Sequence, residues 1–433
     1  MEFTQFGKKM TGNAGILSLM DDLGKATAPG SKPVIMMGGG NPGQVPEFQE
    51  IMRRELLAIG EDKQRFAQLI SGYAPPQGEK TFIEGLSSLL EKEHGWEVGP
   101  ENICLTNGSQ TAFFMLFNLF AGFLADGRKK KICLPMAPEY IGYADLGLVD
   151  DMFVSTRPEI ELQEGGFFKY HIDFNKLEIG ADIGAVCISR PTNPTGNVVT
   201  DVELARLVDL AAKRKIPLIV DSAYGLPFPG MVYVGAKPIW NDNLIQCFSL
   251  SKLGLPSLRT GIVVAQKEIV AALTAMNAII SLTPTSFAAV LARNLVNNRE
   301  IISLSRELIQ PFYRKKMEKA VAVVRDKFAG IPCRIHKPEG AMFLWLWFED
   351  LPITSLELYK QLKENGVLVV SGHYFFPGLS EEWKHKDECI RVTYSQSDDD
   401  IQRGLAIIAE VVRRTYAECG GKNKSGIRDG ENC

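Results

Sequence analysis

The chain has 433 residues, enough for two or three domains, and its 45% apolar and 23% charged residues suit a globular protein whose core needs no metal or disulfide scaffold. A net charge of −3 gives no basic surplus for nucleic acid or an anionic membrane surface. No apolar run reaches the length of a membrane span, and residues 1–15 lack the apolar centre of a signal peptide.

From the N-terminus, residues 16–23 have the spacing of a short amphipathic helix. Then comes Met36-Met37-Gly38-Gly39-Gly40-Asn41-Pro42-Gly43, which is no dinucleotide fingerprint. Its three successive glycines suit either a substrate-contacting loop or a plain tight turn. Residues 46–60 and 79–94 read as helices, the second with Phe82, Leu86, Leu89 and Leu90 on one face. The Pro- and Gly-rich residues 71–78 between them read as a loop. Ile103-Cys104-Leu105-Thr106-Asn107-Gly108-Ser109-Gln110 reads as strand, glycine turn and helix start. Such a start is either an ordinary N-cap or an anion site, with Ser109 and Gln110 adding donors.

Apolar strand-like runs then recur at 131–134, 183–189, 217–220, 244–248 and 262–265, with helical stretches such as 201–215 between them. This alternation predicts an α/β fold with a mostly parallel sheet covered on both faces. Ligands of such sheets bind beyond the C-terminal ends of the strands. Asn107 to Gln110, Asn193, Asp221 and Ser249 to Lys252 all fall at such ends. Residues 267–280 and 286–303 read as helices, and a long helix over 304–329 leads out of this part. Beyond it, strands at 332–335, 341–348, 367–370 and 390–394 with helices at 354–365 and 398–416 predict a smaller α+β domain. The polar, glycine-rich tail 420–433 is expected to be disordered.

The eight cysteines form no CxxC pair, and most lie in apolar runs. They read as buried free thiols in a reducing compartment, so the cytoplasm is the expected address. The five histidines show no metal-ligand spacing, and neither a GxSxG elbow nor a Walker loop is present.

The chemistry centres on Ser249-Leu250-Ser251-Lys252, between two apolar strands. A desolvated lysine loses its proton readily and becomes a nucleophilic amine, so Lys252 suits a Schiff-base lysine; a solvated loop lysine is the plain alternative. With Ser109, Gln110, Ser249 and Arg259 to hold a phosphate, the set suits a phosphate-bearing pyridine cofactor. Asp221 at a strand end can keep a ring nitrogen protonated, Asn193 and Tyr224 can bond a ring oxygen, and Tyr140 can stack on the ring. Arg391 on a late strand is either a surface arginine or a fork for an α-carboxylate.

Taken together, Asn193-Pro194-Thr195-Gly196, Asp221-Ser222-Ala223-Tyr224, Ser249-Leu250-Ser251-Lys252 with Arg259, and Arg391 resemble the fold-type I, pyridoxal-phosphate-dependent aminotransferases of class I/II, in order and spacing, over residues 35–415. Met37 to Gly43, Ser71 to Gly78 and Ser189 to Gly196 are similar to the branch of that family acting on valine and pyruvate. The resemblance implies a large cofactor-binding domain over 46–310, a small domain over 311–419, and an N-terminal segment 1–45 that packs with it. It implies pyridoxal 5'-phosphate as cofactor, no metal, and a ping-pong reaction with Lys252 as catalytic amine and proton carrier, aided by Asp221 and Tyr224. Gly108 joins Ser109, Gln110, Ser249 and Arg259 as phosphate binders, while Gly40, Asn193 and Arg391 contact substrate. Tyr73 reaches the cofactor of a neighbouring subunit, which implies a homodimer with shared sites. The arginine run reads Pro256-Ser257-Leu258-Arg259 where the family usually has Pro-Gly-Leu-Arg.

The rival enzyme readings are an alanine or aromatic aminotransferase, or a C–S β-lyase, on the same fold. A transcription regulator with an aminotransferase-like domain needs a basic helix-turn-helix segment, and residues 1–35 are too short and insufficiently basic for one.

Overall fold

The computed structural model describes residues 1–12, 15, 17, 21, 24 and 34–422, with side chains as far as 418. The helix expected over 16–23 lies almost wholly outside the described residues.

An eight-stranded sheet forms the middle of the larger part. Its order is Ile103–Thr106, Gly261–Val264, Leu244–Ser249, Leu218–Asp221, Ile183–Ser189 and Lys129–Leu134, and this last strand pairs with both Gly122–Phe123 and Phe153–Ser155. The four pairings from Leu244–Ser249 to Phe153–Ser155 are parallel. Gly261–Val264 is antiparallel to both its neighbours. Period-two alternation explains the double-sided core. Ile219, Ile245 and Cys247 pack against Phe113, Leu116 and Phe117 of helix Ser109–Phe120. Leu218, Val220 and Ile188 point the other way, towards Leu204 and Leu207 of helix Asp201–Arg214. That helix starts where its sequence says it should, with a capping box between Thr200 and Glu203.

The expected helix over 286–303 is divided into Phe287–Asn297 and Glu300–Leu304, because Arg299 takes a left-handed conformation between them. The long helix follows as a π-helical turn, Ser305–Ile309, and the α-helix Gln310–Lys327.

The second sheet has six strands, ordered Val370–Ser371, Cys389–Thr393, Phe343–Phe348, Cys333–His336, Phe167–His171 and Glu159–Gln163. Its last two strands are a hairpin from within residues 46–310, so the C-terminal segment does not build this sheet alone. The expected strand at 367–370 is two short strands: Val367–Leu368 pairs with Ile35–Met36, and Val370–Ser371 with Cys389–Thr393. The N-terminal segment is thereby stitched to the second sheet, with Thr393 N–H donating to Met37 O at 2.8 Å. The last helix, Asp398–Lys422, runs three residues into the stretch expected to be disordered; 423–433 lie outside the described residues.

Candidate active site

A cavity of about 700 Å³ opens at the C-terminal edge of the central sheet and is closed on one side by the glycine run and the second sheet. Lys252 leaves the sheet just after Leu244–Ser249, and its Nζ donates to Gly40 O at 2.7 Å. The ammonium lies 5.3 Å from the Tyr224 ring centroid. Burial, then the guanidiniums of Arg391 and Arg259, push the Lys252 amine down to about 8, against an opposing pull from Asp221. A lysine in this state gives up its proton near neutral pH.

Asp221 ends its strand with its carboxylate at the cavity. Tyr143 Oη donates to Asp221 Oδ2 at 2.6 Å, and Ala223 N–H donates to Oδ1 at 2.9 Å. Burial raises the Asp221 pKa, and these two bonds and Lys252 oppose the rise. Tyr140 and Tyr224 also line the cavity, and burial raises both phenols.

At one end, helix Ser109–Phe120 presents its first turn to the cavity. Gly108 caps it at φ +86°, and a Cβ there would overlap the Arg259 guanidinium. Arg259 Nη1 lies 3.4 Å from Ser251 Oγ and 3.3 Å from Pro256 O. No acidic side chain pairs with Arg259 among the described residues, so helix dipole and guanidinium together leave positive potential without an anion. Ser249 accepts from Ser251 N–H at 3.1 Å.

At the other end, Arg391 is 2% exposed, yet among the described residues it too has no acidic partner. Its Nη1 donates to Asn193 Oδ1 at 2.6 Å and its Nη2 to Gly38 O at 2.7 Å, while its Nε is buried without a partner. Burial lowers its pKa to about 10. A buried guanidinium with an orphaned N–H fits an anionic ligand, and its planar fork fits a carboxylate.

The residues expected to form this subunit's site therefore converge, with one difference. The Gln110 side chain is engaged, donating to Gly142 O at 3.0 Å, which leaves its backbone N–H as the donor towards the cavity. Tyr73, expected to serve the site of a neighbouring subunit, is 84% exposed and does not line this cavity. Sequence reasoning missed Tyr143. The signal for Tyr143 lay in Pro138-Glu139-Tyr140-Ile141-Gly142-Tyr143, a polar and aromatic turn directly after an apolar strand.

The family model for class I and II aminotransferases matches residues 41–408, and the chain belongs to that family. It is 49% identical to the valine–pyruvate aminotransferase of Escherichia coli (strain K12) over 419 residues, 96% of this chain and 100% of that one. The crystal structure of valine–pyruvate aminotransferase from Salmonella typhimurium LT2 is 47% identical, with a TM-score of 0.86 over 93% of this chain and 100% of that one. A putative amino-acid aminotransferase from Psychrobacter arcticum 273-4 is 44% identical, with a TM-score of 0.93 over 96% and 99% of the two chains. The chain is thus an aminotransferase, and its cofactor is pyridoxal 5'-phosphate. The residues present fit that group: an amine of lowered basicity, a guanidinium beside a helix N-terminus without an acidic partner, and a carboxylate lining the same cavity. No helix among the described residues is long and apolar enough to cross a membrane.

Proposed function

We propose that this aminotransferase moves the amino group between valine, or another small aliphatic amino acid, and pyruvate, giving 3-methyl-2-oxobutanoate and alanine in two ping-pong half-reactions. The observation that carries this reading is Arg391, a buried guanidinium whose free N–H and missing counter-ion suit one α-carboxylate. The cavity's other charged side chains are Lys252, Arg259 and Asp221, which leaves no further cation for a second carboxylate among the described residues. Neutral amino acids suit that charge balance. The identity to the relative named for valine and pyruvate points the same way.

When bound, pyridoxal phosphate supplies a carbonyl carbon that amines attack and a ring that withdraws electrons from the substrate Cα once its nitrogen is protonated. The chain's own residues do the rest. The first turn at Gly108, Ser109 and Gln110, with Ser249 and Arg259, holds the phosphate dianion. Asp221 supplies the negative charge opposite the ring nitrogen. Asn193 has its Oδ1 committed to Arg391, so its Nδ2 is the donor left for a ring oxygen, beside the Tyr224 hydroxyl. Tyr140 packs on the ring face. Lys252 anchors the cofactor at rest and, once displaced, accepts and returns the proton at Cα with its free amine. Gly40, whose carbonyl holds Lys252 Nζ, borders the substrate.

The working unit in this reading is a homodimer. Leu56, Leu57, Phe66, Ile70, Ile279, Ile280 and Leu282 are exposed apolar side chains near Tyr73 in sequence or across the loop joined by the Asn277 Nδ2–Pro76 O bond of 2.8 Å. A second copy covers such a patch and brings Tyr73 to the neighbouring cofactor. Within each subunit, 46–310 is the cofactor-binding domain apart from hairpin 159–171, which joins the sheet of the small domain over 311–419, and 1–45 is the segment packed with it. The buried free thiols support a cytoplasmic address.

The test is a panel of amino donors offered with pyruvate, each product identified. Alanine and 3-methyl-2-oxobutanoate from valine, at a higher kcat/KM than from aspartate or phenylalanine, is the expected outcome. Pyruvate and ammonia released without an oxo-acid acceptor would overturn it.

A further inference from the structure

Beneath Asp221 lies a second carboxyl group that none of the roles above uses. Glu139 has no solvent exposure. It follows strand Lys129–Leu134 in the turn that carries Tyr140 and Tyr143, and its main chain is held by Glu139 N–H donating to Phe375 O at 2.8 Å. Ser189 meets it twice, with its N–H donating to Glu139 Oε1 at 2.8 Å and its Oγ hydrogen-bonded to Oε2. Ser189 Oγ is 3.4 Å from Tyr143 Oη, and that phenol donates to Asp221 Oδ2. Three contacts thus join two buried carboxyl groups into one chain: Glu139, Ser189, Tyr143, Asp221.

We propose that Glu139 is a positioning residue for the cofactor site, holding a proton at the closed end of this chain so that Asp221 remains the charged member and its carboxylate stays aimed into the cavity. The proposal rests on the reading that Asp221 faces the ring nitrogen.

Two anions this close in a dry site repel, so one of them keeps its proton. The titratable groups that face Glu139 are Asp221, Tyr143, Cys187 and Tyr140, from the neighbouring strands and its own turn, and no cation is among them. Asp221 differs: it has Lys252 beside it and the open cavity in front. Burial accordingly pushes Glu139 up to about 8, with the Asp221 charge adding to the rise and the Ser189 bonds opposing it. With the proton on Glu139, each hydroxyl can donate in one direction: Glu139 to Ser189 Oγ, Ser189 to Tyr143 Oη, and Tyr143 to Asp221. The hydroxyls then all point at Asp221, which strengthens the bond that orients it.

The test needs no turnover. Infrared difference spectra between the apoprotein and its Glu139→Gln variant are expected to show a protonated-carboxyl C=O band at neutral pH that belongs to Glu139. In Asp221→Asn the midpoint at which this band titrates should move down by about one pH unit, a tenfold change in proton affinity. In Ser189→Ala it should move up, since the Ser189 hydroxyl turns to donate to the ionised carboxylate and that charge-assisted bond is stronger than the one it accepts from the acid. Circular dichroism checks that each variant is folded, and the opposite signs keep the test decisive if one is not. Absence of the band at pH 7, or an equal midpoint in every variant, overturns the proposal. The reading of Asp221 is checked apart from this, by the ¹⁵N shift of ring-labelled cofactor in the holoenzyme. A ring nitrogen that stays protonated in Asp221→Asn sinks that reading while leaving the coupling of Glu139 to Asp221 intact.

Discussion

Arg391 and Asn193, 198 residues apart in the chain, meet through a 2.6 Å hydrogen bond from Nη1 to Oδ1. Arg391 comes from the second sheet and Asn193 from a turn beyond the central one, so this bond ties the two sheets together at the cavity. It also decides which end of the asparagine amide faces the ligand. Arg391→Ala removes both the carboxylate fork and this tie. The expected loss is about 2–4 kcal/mol in kcat/KM for the amino acid, roughly 30- to 1,000-fold, with cofactor still bound. Arg391→Lys should recover only part of it, because an ammonium cannot form the fork. Steady-state kinetics with absorbance of the bound cofactor separates the two effects, and loss of cofactor in place of substrate affinity would contradict the assignment.

Lys252 is poised by opposing charges. Burial, Arg391 and Arg259 lower its pKa to about 8, whereas Asp221 raises it. The apoprotein should therefore condense with a pyridoxal-type aldehyde with a pH midpoint near 8, well below that of an ordinary lysine. Asp221→Asn should move the midpoint down, since a charge favouring the ammonium is lost. Lys252→Ala should leave no cofactor trapped on the protein by borohydride. Mass spectrometry of the reduced protein reads both results.

Gly108 serves the phosphate end through shape. At φ +86°, with the Arg259 guanidinium where a Cβ would stand, alanine is both strained and crowded. Gly108→Ala should shift Arg259 and weaken cofactor affinity by about tenfold or more, the worth of a single charge-assisted bond. Equilibrium dialysis of the cofactor measures this, and an unchanged Kd would show that the guanidinium does not hold the phosphate.

The second sheet predicts a pH response of its own. Burial lowers the pKa of His385 from 6.5 to about 3 and that of His336 well below 6.5. The unfolded chain binds protons at these positions below pH 6.5, whereas the folded chain does not until far lower. Stability should therefore fall as pH drops from 6.5, by about 1.4 kcal/mol per pH unit for each histidine. His171 works the other way: its bonds to Glu203 and Glu161 raise its pKa, so what it contributes is present below pH 6.5 and lost as pH rises. Urea titrations between pH 7 and 5 should show a net loss, because burial also lowers His94 and His373, so four groups oppose one half-buried one. A flat profile would mean that these rings are charged in the fold.

Tyr73 provides the test of a shared site. Subunits carrying Tyr73→Phe and subunits carrying Lys252→Ala should each be impaired alone. Mixed in refolding, they should give hybrids in which one site has both native residues. Activity recovered in the mixture, up to about a quarter of the native level if subunits pair at random, is expected. No recovery would place Tyr73 outside the partner's site.

Much of this protein was legible as sequence. Strand-like runs ending in Asp221 and Ser249 are set by local periodicity, and their C-terminal ends mark the ligand edge of a parallel sheet whatever the side chains do next. Helix Asp201–Arg214 follows from the helical pattern over 201–215. The residue types of the site, from Asn193 to Arg391, could be named because each has a chemistry that stands apart from its neighbours. Other features lay beyond any local signal. Hairpin 159–171 joins the second sheet because of the edge it meets in space. The bond from Tyr143 to Asp221, the orientation of the Asn193 amide and the engagement of Gln110 with Gly142 depend on partners brought together only by packing. The sequence by itself determined the elements and the reacting groups, since both follow from covalent chemistry and short-range pattern. Tertiary structure decided which of those groups are paired, which are left unpaired and how far each gives up its charge, because desolvation and Coulomb interaction depend on distance in space.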